Sequence, residues 1–210
     1  MFKDRADAGT KLAKALESYR DQNVLVLGIP RGGVETAYYV AKHLNAELAV
    51  IVSRKLPFPD NPEAGFGAIA EDGSVFLIDR FKDYLTSRVV RRIIEEQTQE
   101  IGRRVEAFRQ SRPLPPIAGR TVIIVDDGIA MGSTMRASLI LCRNKGAGCV
   151  IVAAPVAAPE TVEMFREVAD DVVVLETPEF FQAVAQVYLN WYDVSDEEVL
   201  EILHRGQDNL

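Results

Sequence analysis

Apolar residues fall along this chain in two alternating rhythms. Five short runs are almost continuously apolar, at residues 24–27, 48–52, 121–125, 149–154 and 172–175. Runs of this length without polar alternation predict strands covered on both faces. Between them the apolar positions recur at helical spacing. Ala8, Leu12, Ala15, Leu16 and Tyr19 predict a helix over about residues 4–20, which Asp21-Gln22-Asn23 ends. Further helices are predicted at 34–44, about 82–110, 134–145 and 159–169, with Pro113, Pro115 and Pro116 breaking the long one. A tail over about 178–205, carrying Phe180, Phe181, Tyr188, Trp191 and Tyr192, is also expected to be helical.

Strand–helix alternation of this kind predicts an α/β fold, a parallel-sheet core with helices on both faces. Residues 56–67 are rich in Pro and Gly and read as a loop. Residues 67–70 and 74–78 flank Glu71-Asp72-Gly73, a hairpin signal because Asp-Gly tolerates the positive φ of a tight turn. Parallel sheets bind ligands beyond the carboxyl ends of their strands. Three unusual loops fall there: Gly28-Ile29-Pro30-Arg31-Gly32-Gly33, Ser53-Arg54-Lys55, and Asp126 to Thr134.

Composition narrows the function. The 210 residues, 48% hydrophobic, suffice for one core, and no linker divides them, so a single domain over 1–210 is expected. A net charge of -7 argues against a broad nucleic-acid footprint. An anionic ligand must then be held locally, by backbone N–H groups, a few basic side chains or a metal. Two cysteines, Cys142 and Cys149, make no disulfide framework, and two distant histidines, His43 and His204, make no zinc site. The opening residues lack the apolar core of a signal peptide and the apolar runs are strand-sized, so no membrane association and a cytoplasmic location are expected.

The most specific stretch is Val122-Ile123-Ile124-Val125-Asp126-Asp127-Gly128-Ile129-Ala130-Met131-Gly132-Ser133-Thr134. A buried strand delivers two adjacent carboxylates, and small residues lead into a helix N-terminus. Such a loop brings backbone N–H groups close to an anion, and the helix dipole favours negative charge there. Two carboxylates would repel a lone phosphate, but they suit a ligand that also offers hydroxyl donors or a metal, as a sugar phosphate does.

This segment resembles the 5-phosphoribosyl-1-pyrophosphate (PRPP) motif of the type I phosphoribosyltransferases. The resemblance implies that Asp126 and Asp127 meet the ribose hydroxyls, that Ala130, Met131, Gly132, Ser133 and Thr134 hold the 5-phosphate, and that Gly128 and Ile129 complete the substrate-binding loop. It extends to pyrophosphate contacts from Pro30, Arg31, Gly32 and Gly33 and from Arg54 and Lys55, and to a closing lid over 56–74 with a small hood. Magnesium is implied as the cofactor, carried mainly by PRPP and reaching Asp126 and Asp127 through water, with no direct protein ligand. Asp126, Asp127 and Arg31 are the candidate catalytic residues. The implied reaction is displacement at ribose C1 with loss of pyrophosphate, stabilised at an oxocarbenium-like transition state by charge. A homodimer is a further possibility. Two positions depart from the motif: Met131 replaces a hydroxyl residue, and Ala130 stands where the 6-oxopurine members carry an Asp. The acceptor therefore stays open, and a PRPP sensor without transferase activity is the alternative. A receiver domain would end its first strand, not a later one, with its acids, and a dinucleotide site would need G-x-G-x-x-G, which residues 28–33 lack.

Overall fold

The computed structural model describes residues 1–81 and 83–207, with the side chain of Gln207 excepted. Five parallel strands make the main sheet: β1 (Leu25–Gly28), β2 (Glu47–Val50), β6 (Thr121–Val125), β7 (Cys149–Val156) and β8 (Asp171–Glu176), in the order β2-β1-β6-β7-β8. Their side chains alternate between two cores. Leu25, Leu27, Val122, Ile124, Val150 and Val152 pack on one face against α4 (Ser133–Asn144) and α5 (Pro159–Arg166). Val26, Ile123, Val125, Ile151 and Ala153 pack on the other against α1 (Arg5–Ala15) and α2 (Gly32–Leu44). This two-residue period lets a strand read as continuously apolar while serving both faces.

A second, antiparallel sheet combines β3 (Ser53–Phe58), β4 (Asn61–Ala70) and β5 (Val75–Leu77). With α3 (Ser87–Arg109) and α6 (Asp196–Gln207) it shares a third core that includes Val50, Leu56, Phe66, Ile69, Ile93, Ile101, Phe108 and Ile202. The Asp72-Gly73 turn forms between β4 and β5, with Gly73 at φ +86°.

Four expectations change. The lid loop over 56–74 is instead traversed by β4, which is buried from Gly65 to Ala70, so only the hairpin tip near 59–64 projects. Prolines misled there because Pro57 sits at a register shift and Pro62 in the exposed arm, where a missing N–H breaks no ladder. The tail is not one helix. A single 3-10 turn (Val184–Val187) and an extended stretch precede α6, because Tyr188 bridges to Phe2 and the Leu189 N–H donates to the Phe2 carbonyl. The first helix stops at Ala15, followed by the 3-10 turn Glu17–Tyr19. The long helix, expected from about Lys82, begins at Ser87 with Thr86 as its N-cap; Lys82 itself lies outside the described residues.

Candidate active site

Strand order reverses between β1 and β6, whose carboxyl ends lie side by side, with Gly28 opposite Val125. At such a switch point the loops diverge and leave a crevice. The loop after β1 runs through the cis Pro30–Arg31 peptide into α2, and the loop after β6 carries the acid pair into α4. The Ile29 N–H donates to the Val125 carbonyl, which ties the two loops together.

The loops touch most closely at Gly32 and Gly33. A Cβ on Gly32 would lie 1.9 Å from Asp127 Oδ2, and one on Gly33 would lie 2.8 Å from Asp126 Oδ1. Only glycine lets the two backbones approach this far. On the other side the loop after β6 is anchored by Ile129 N–H to the Val156 carbonyl (2.8 Å) and by Thr161 Oγ1–H to the Ala130 carbonyl (2.7 Å). Gly132 turns it into α4 at φ +73°, where a Cβ would also strike the Phe165 ring at 2.8 Å. The first N–H groups of α4 have no partner within the helix, so they are open to a ligand.

Two clefts open here. One, of about 250 Å³, is lined by Asp126, Gly128 to Thr134, Lys55, Glu63, Gly65 and Val184. The other, of about 330 Å³, is lined by Pro30, Ser53, Arg54, Lys55, Pro57, Pro62, Gln97, Arg104 and Thr134. Lys55 and Thr134 belong to both. A roomier cavity of about 440 Å³ lies between β2, residues 108–115 and α6, away from both loops and without their acid pair. Volume is therefore a poor guide here to where the chemistry sits.

The second cleft is cationic. Arg54 is half-buried, and its Nε–H donates to Gln97 Oε1 at 3.1 Å. Burial lowers the Arg54 guanidinium from its ordinary value, and neighbouring Arg104 lowers it further. Lys55 extends across the hairpin and donates to the Glu63 carbonyl, over a gap that Gly65 leaves for its stem.

The two acids stand in different surroundings. Asp126 lines the first cleft, and one of its oxygens accepts the Asp127 N–H at 2.9 Å. Burial pushes its carboxyl well above the usual range, and the Asp127 charge adds to that. Asp127 turns away, toward Arg5, whose Nε–H donates to its Oδ2 at 2.7 Å. Burial raises Asp127 as well, but the Arg5 charge and hydrogen bond oppose the rise. Among the described residues, no cluster of three or more His, Cys, Asp or Glu could hold a metal by itself.

The family profile described as phosphoribosyl transferase domain matches residues 3–190. The chain belongs to this phosphoribosyl transferase family. Relatives from two Mycobacterium tuberculosis strains, each named provisionally as a phosphoribosyl transferase, are 44% identical over 208 residues. That match covers 98% of this chain, which spans about half, 47%, of those relatives. Among solved structures, TT1426 from Thermus thermophilus is 40% identical, with a TM-score of 0.82 over 97% of this chain and 98% of that one. AQ2163 from Aquifex aeolicus, at 13% identity and a TM-score of 0.52 over 82% and 74% of the two chains, shares the fold alone.

Within this family frame, the structure gathers Pro30, Arg54, Lys55, Asp126 and residues 128–134 around the two clefts. It places Gly32 and Gly33 beneath the acid pair as spacers. Arg31 lies outside both linings, 41% exposed, with its Nη1 3.6 Å from Asp196 Oδ1 of α6. Met131 lines the first cleft and is 48% exposed, so it does not pack into the core beneath the loop. Sequence reasoning missed Arg5, Gln97, Arg104 and Val184. None has a motif around it; each arrives from an element distant in sequence. No helix among the described residues is long and apolar enough to cross a membrane.

Proposed function

We propose that this chain transfers a phosphoribosyl group from PRPP to a nitrogenous acceptor, with release of pyrophosphate. The observation that carries the reading is the pair of adjoining clefts at the switch point, one walled by the acid and small-residue loop, the other by basic side chains. PRPP has matching halves: a ribose 5-phosphate with free hydroxyls, and a pyrophosphate of dense negative charge. In this placement Asp126 accepts a ribose hydroxyl, and the N–H groups at the start of α4 hold the 5-phosphate. Lys55, shared by both clefts, spans the two ends of the ligand.

The C1–O bond to pyrophosphate breaks while the acceptor nitrogen bonds to C1, and the nitrogen's proton passes to solvent or to a group closing over the site. Arg54 and Arg104 meet the charge that builds on the departing pyrophosphate, and Arg31 joins them by exchanging Asp196 for it. The acid pair suits magnesium as a partner brought by PRPP, since the side chains at the cleft supply too few ligands to hold the ion by themselves. Bound there, magnesium would neutralise part of the pyrophosphate charge. The residues that would face it are Asp126 and Asp127, through water.

Thermal melting with PRPP and magnesium tests the reading. At about 100 times the dissociation constant the ligand adds ~2.7 kcal/mol, and ribose 5-phosphate alone should add less. An unchanged melt and no calorimetric heat at saturating PRPP would refute it. Pyrophosphate release with a panel of bases then identifies the acceptor. Tight PRPP binding with no release from any base would favour a sensor.

A further inference from the structure

Arg5 is the most deeply buried charged residue near the acid pair, 3% exposed, and no motif points to it. Its Nε–H donates to Asp127 Oδ2 and its Nη1–H to the Tyr192 carbonyl at 2.9 Å. The guanidinium lies 4.1 Å from the Trp191 ring centroid and 5.2 Å from that of Tyr192. Tyr188 closes the same corner by donating its hydroxyl to the Asp127 carbonyl at 2.6 Å. The N-terminal and C-terminal segments thus meet on the back of the site, joined by Phe2 and Tyr188, whose rings stand 5.7 Å apart.

Resting on the proposed function, we infer that Arg5 is the positioning residue of the acid pair: it fixes one oxygen of Asp127 and thereby sets Asp126 toward the cleft. Besides Arg5, the groups that meet Asp127 are its chain neighbour Asp126 and the Tyr188 hydroxyl, while Glu35, 3.8 Å from Arg5, and Tyr192, which donates to Glu35, stand on the far side of the guanidinium. Glu35 is the rival for the guanidinium. Burial raises its carboxyl, and the Tyr192 hydroxyl donates to it at 2.9 Å, which leaves Arg5 to Asp127. Asp4 and Glu198 raise Glu35 further. Burial pushes the Tyr192 hydroxyl up to about 12 and raises Tyr188, so both remain hydroxyl donors at neutral pH. Without Arg5 the Asp127 carboxylate loses the hydrogen bond at 2.7 Å that fixes its Oδ2, and the carboxylate beside it loses the anchor that sets it toward the cleft.

The test is affinity by calorimetry, for wild type, Arg5→Met and Arg5→Lys, toward PRPP with magnesium and toward inorganic pyrophosphate alone, which the basic cleft would hold without the acid pair. Arg5→Met should bind PRPP at least about tenfold more weakly and pyrophosphate within about twofold of wild type. Arg5→Lys, which keeps a charge but not the planar fork, should bind PRPP between the two. An equal loss for both ligands would mean a merely structural role and overturn the inference, as would unchanged PRPP affinity. If Arg5→Met does not fold, the same comparison is read on Arg5→Lys, where an equal loss for both ligands overturns it. A wild type that fails to bind PRPP removes the proposed function and this inference together. A wild type that binds, beside an Arg5→Met that binds equally well, removes the inference alone.

Discussion

Replace the two adjacent aspartates by asparagine, one at a time, and stability should move in opposite directions. At position 126 the amide oxygen still accepts the Asp127 N–H, now at 2.9 Å from the carboxylate. What disappears is a buried charge. The folded protein raises the Asp126 carboxyl, so it holds a proton more tightly than the unfolded chain does. That contribution is unfavourable at neutral pH and fades as pH falls through the raised value toward the ordinary one near 3.9. Asp126→Asn removes it at every pH. Asp126→Asn is therefore expected to be more stable than wild type at neutral pH. At position 127 the carboxylate is the partner of buried Arg5, at 2.7 Å. Removing one member of a buried pair costs about 3–5 kcal/mol. Glu35, 3.8 Å from Arg5, softens the loss, so about 3 kcal/mol is expected. The two variants should then differ by about 3 kcal/mol or more, or roughly 10 °C in Tm for a protein of this size. Thermal and urea melts of the ligand-free variants near pH 7 read this directly. If Asp127→Asn melts within about 1 °C of wild type, or Asp126→Asn falls as far, the assignment of unlike roles is wrong. The Asp126→Asn advantage should also narrow as the pH is lowered.

Gly32→Ala places a Cβ 1.9 Å from Asp127 Oδ2 and 2.7 Å from Arg5 Nε. It should lower the denaturation free energy by about 3 kcal/mol, and a denaturant midpoint matching wild type would contradict the close packing. Met131→Thr adds a hydroxyl at the cleft, so PRPP should bind about tenfold more tightly while stability changes by less than about 0.5 kcal/mol. Calorimetry giving an equal or weaker affinity would leave the loop working through its backbone alone. Amides of the hairpin tip, near residues 59–64, should exchange freely without ligand and gain protection with PRPP and magnesium. Equal exchange in both states would make the tip an ordinary surface turn.

The main sheet was legible in the chain because its strands are local and uniform. A run such as Thr121–Val125, apolar at every position after the first, is compatible with little but a doubly covered strand, and its boundaries came out as read. The acid pair and its loop were legible for a related reason. The proposed ligand-binding segment is one contiguous run at a strand end, so its acids and small residues stand in order in the sequence itself. Tertiary structure decided everything that depends on residues meeting from afar. It turned residues 61–70 into a strand because Phe66 and Ile69 had a core to enter, shared with α3 and α6. It broke the aromatic tail at Tyr188 because the N-terminal segment was there to pair with it. It also made Asp126 and Asp127 unlike. Side by side in sequence, they are distinguished by Arg5, more than a hundred positions away, because burial fixes each carboxylate's charge by what faces it across the interior and not by its neighbours along the chain.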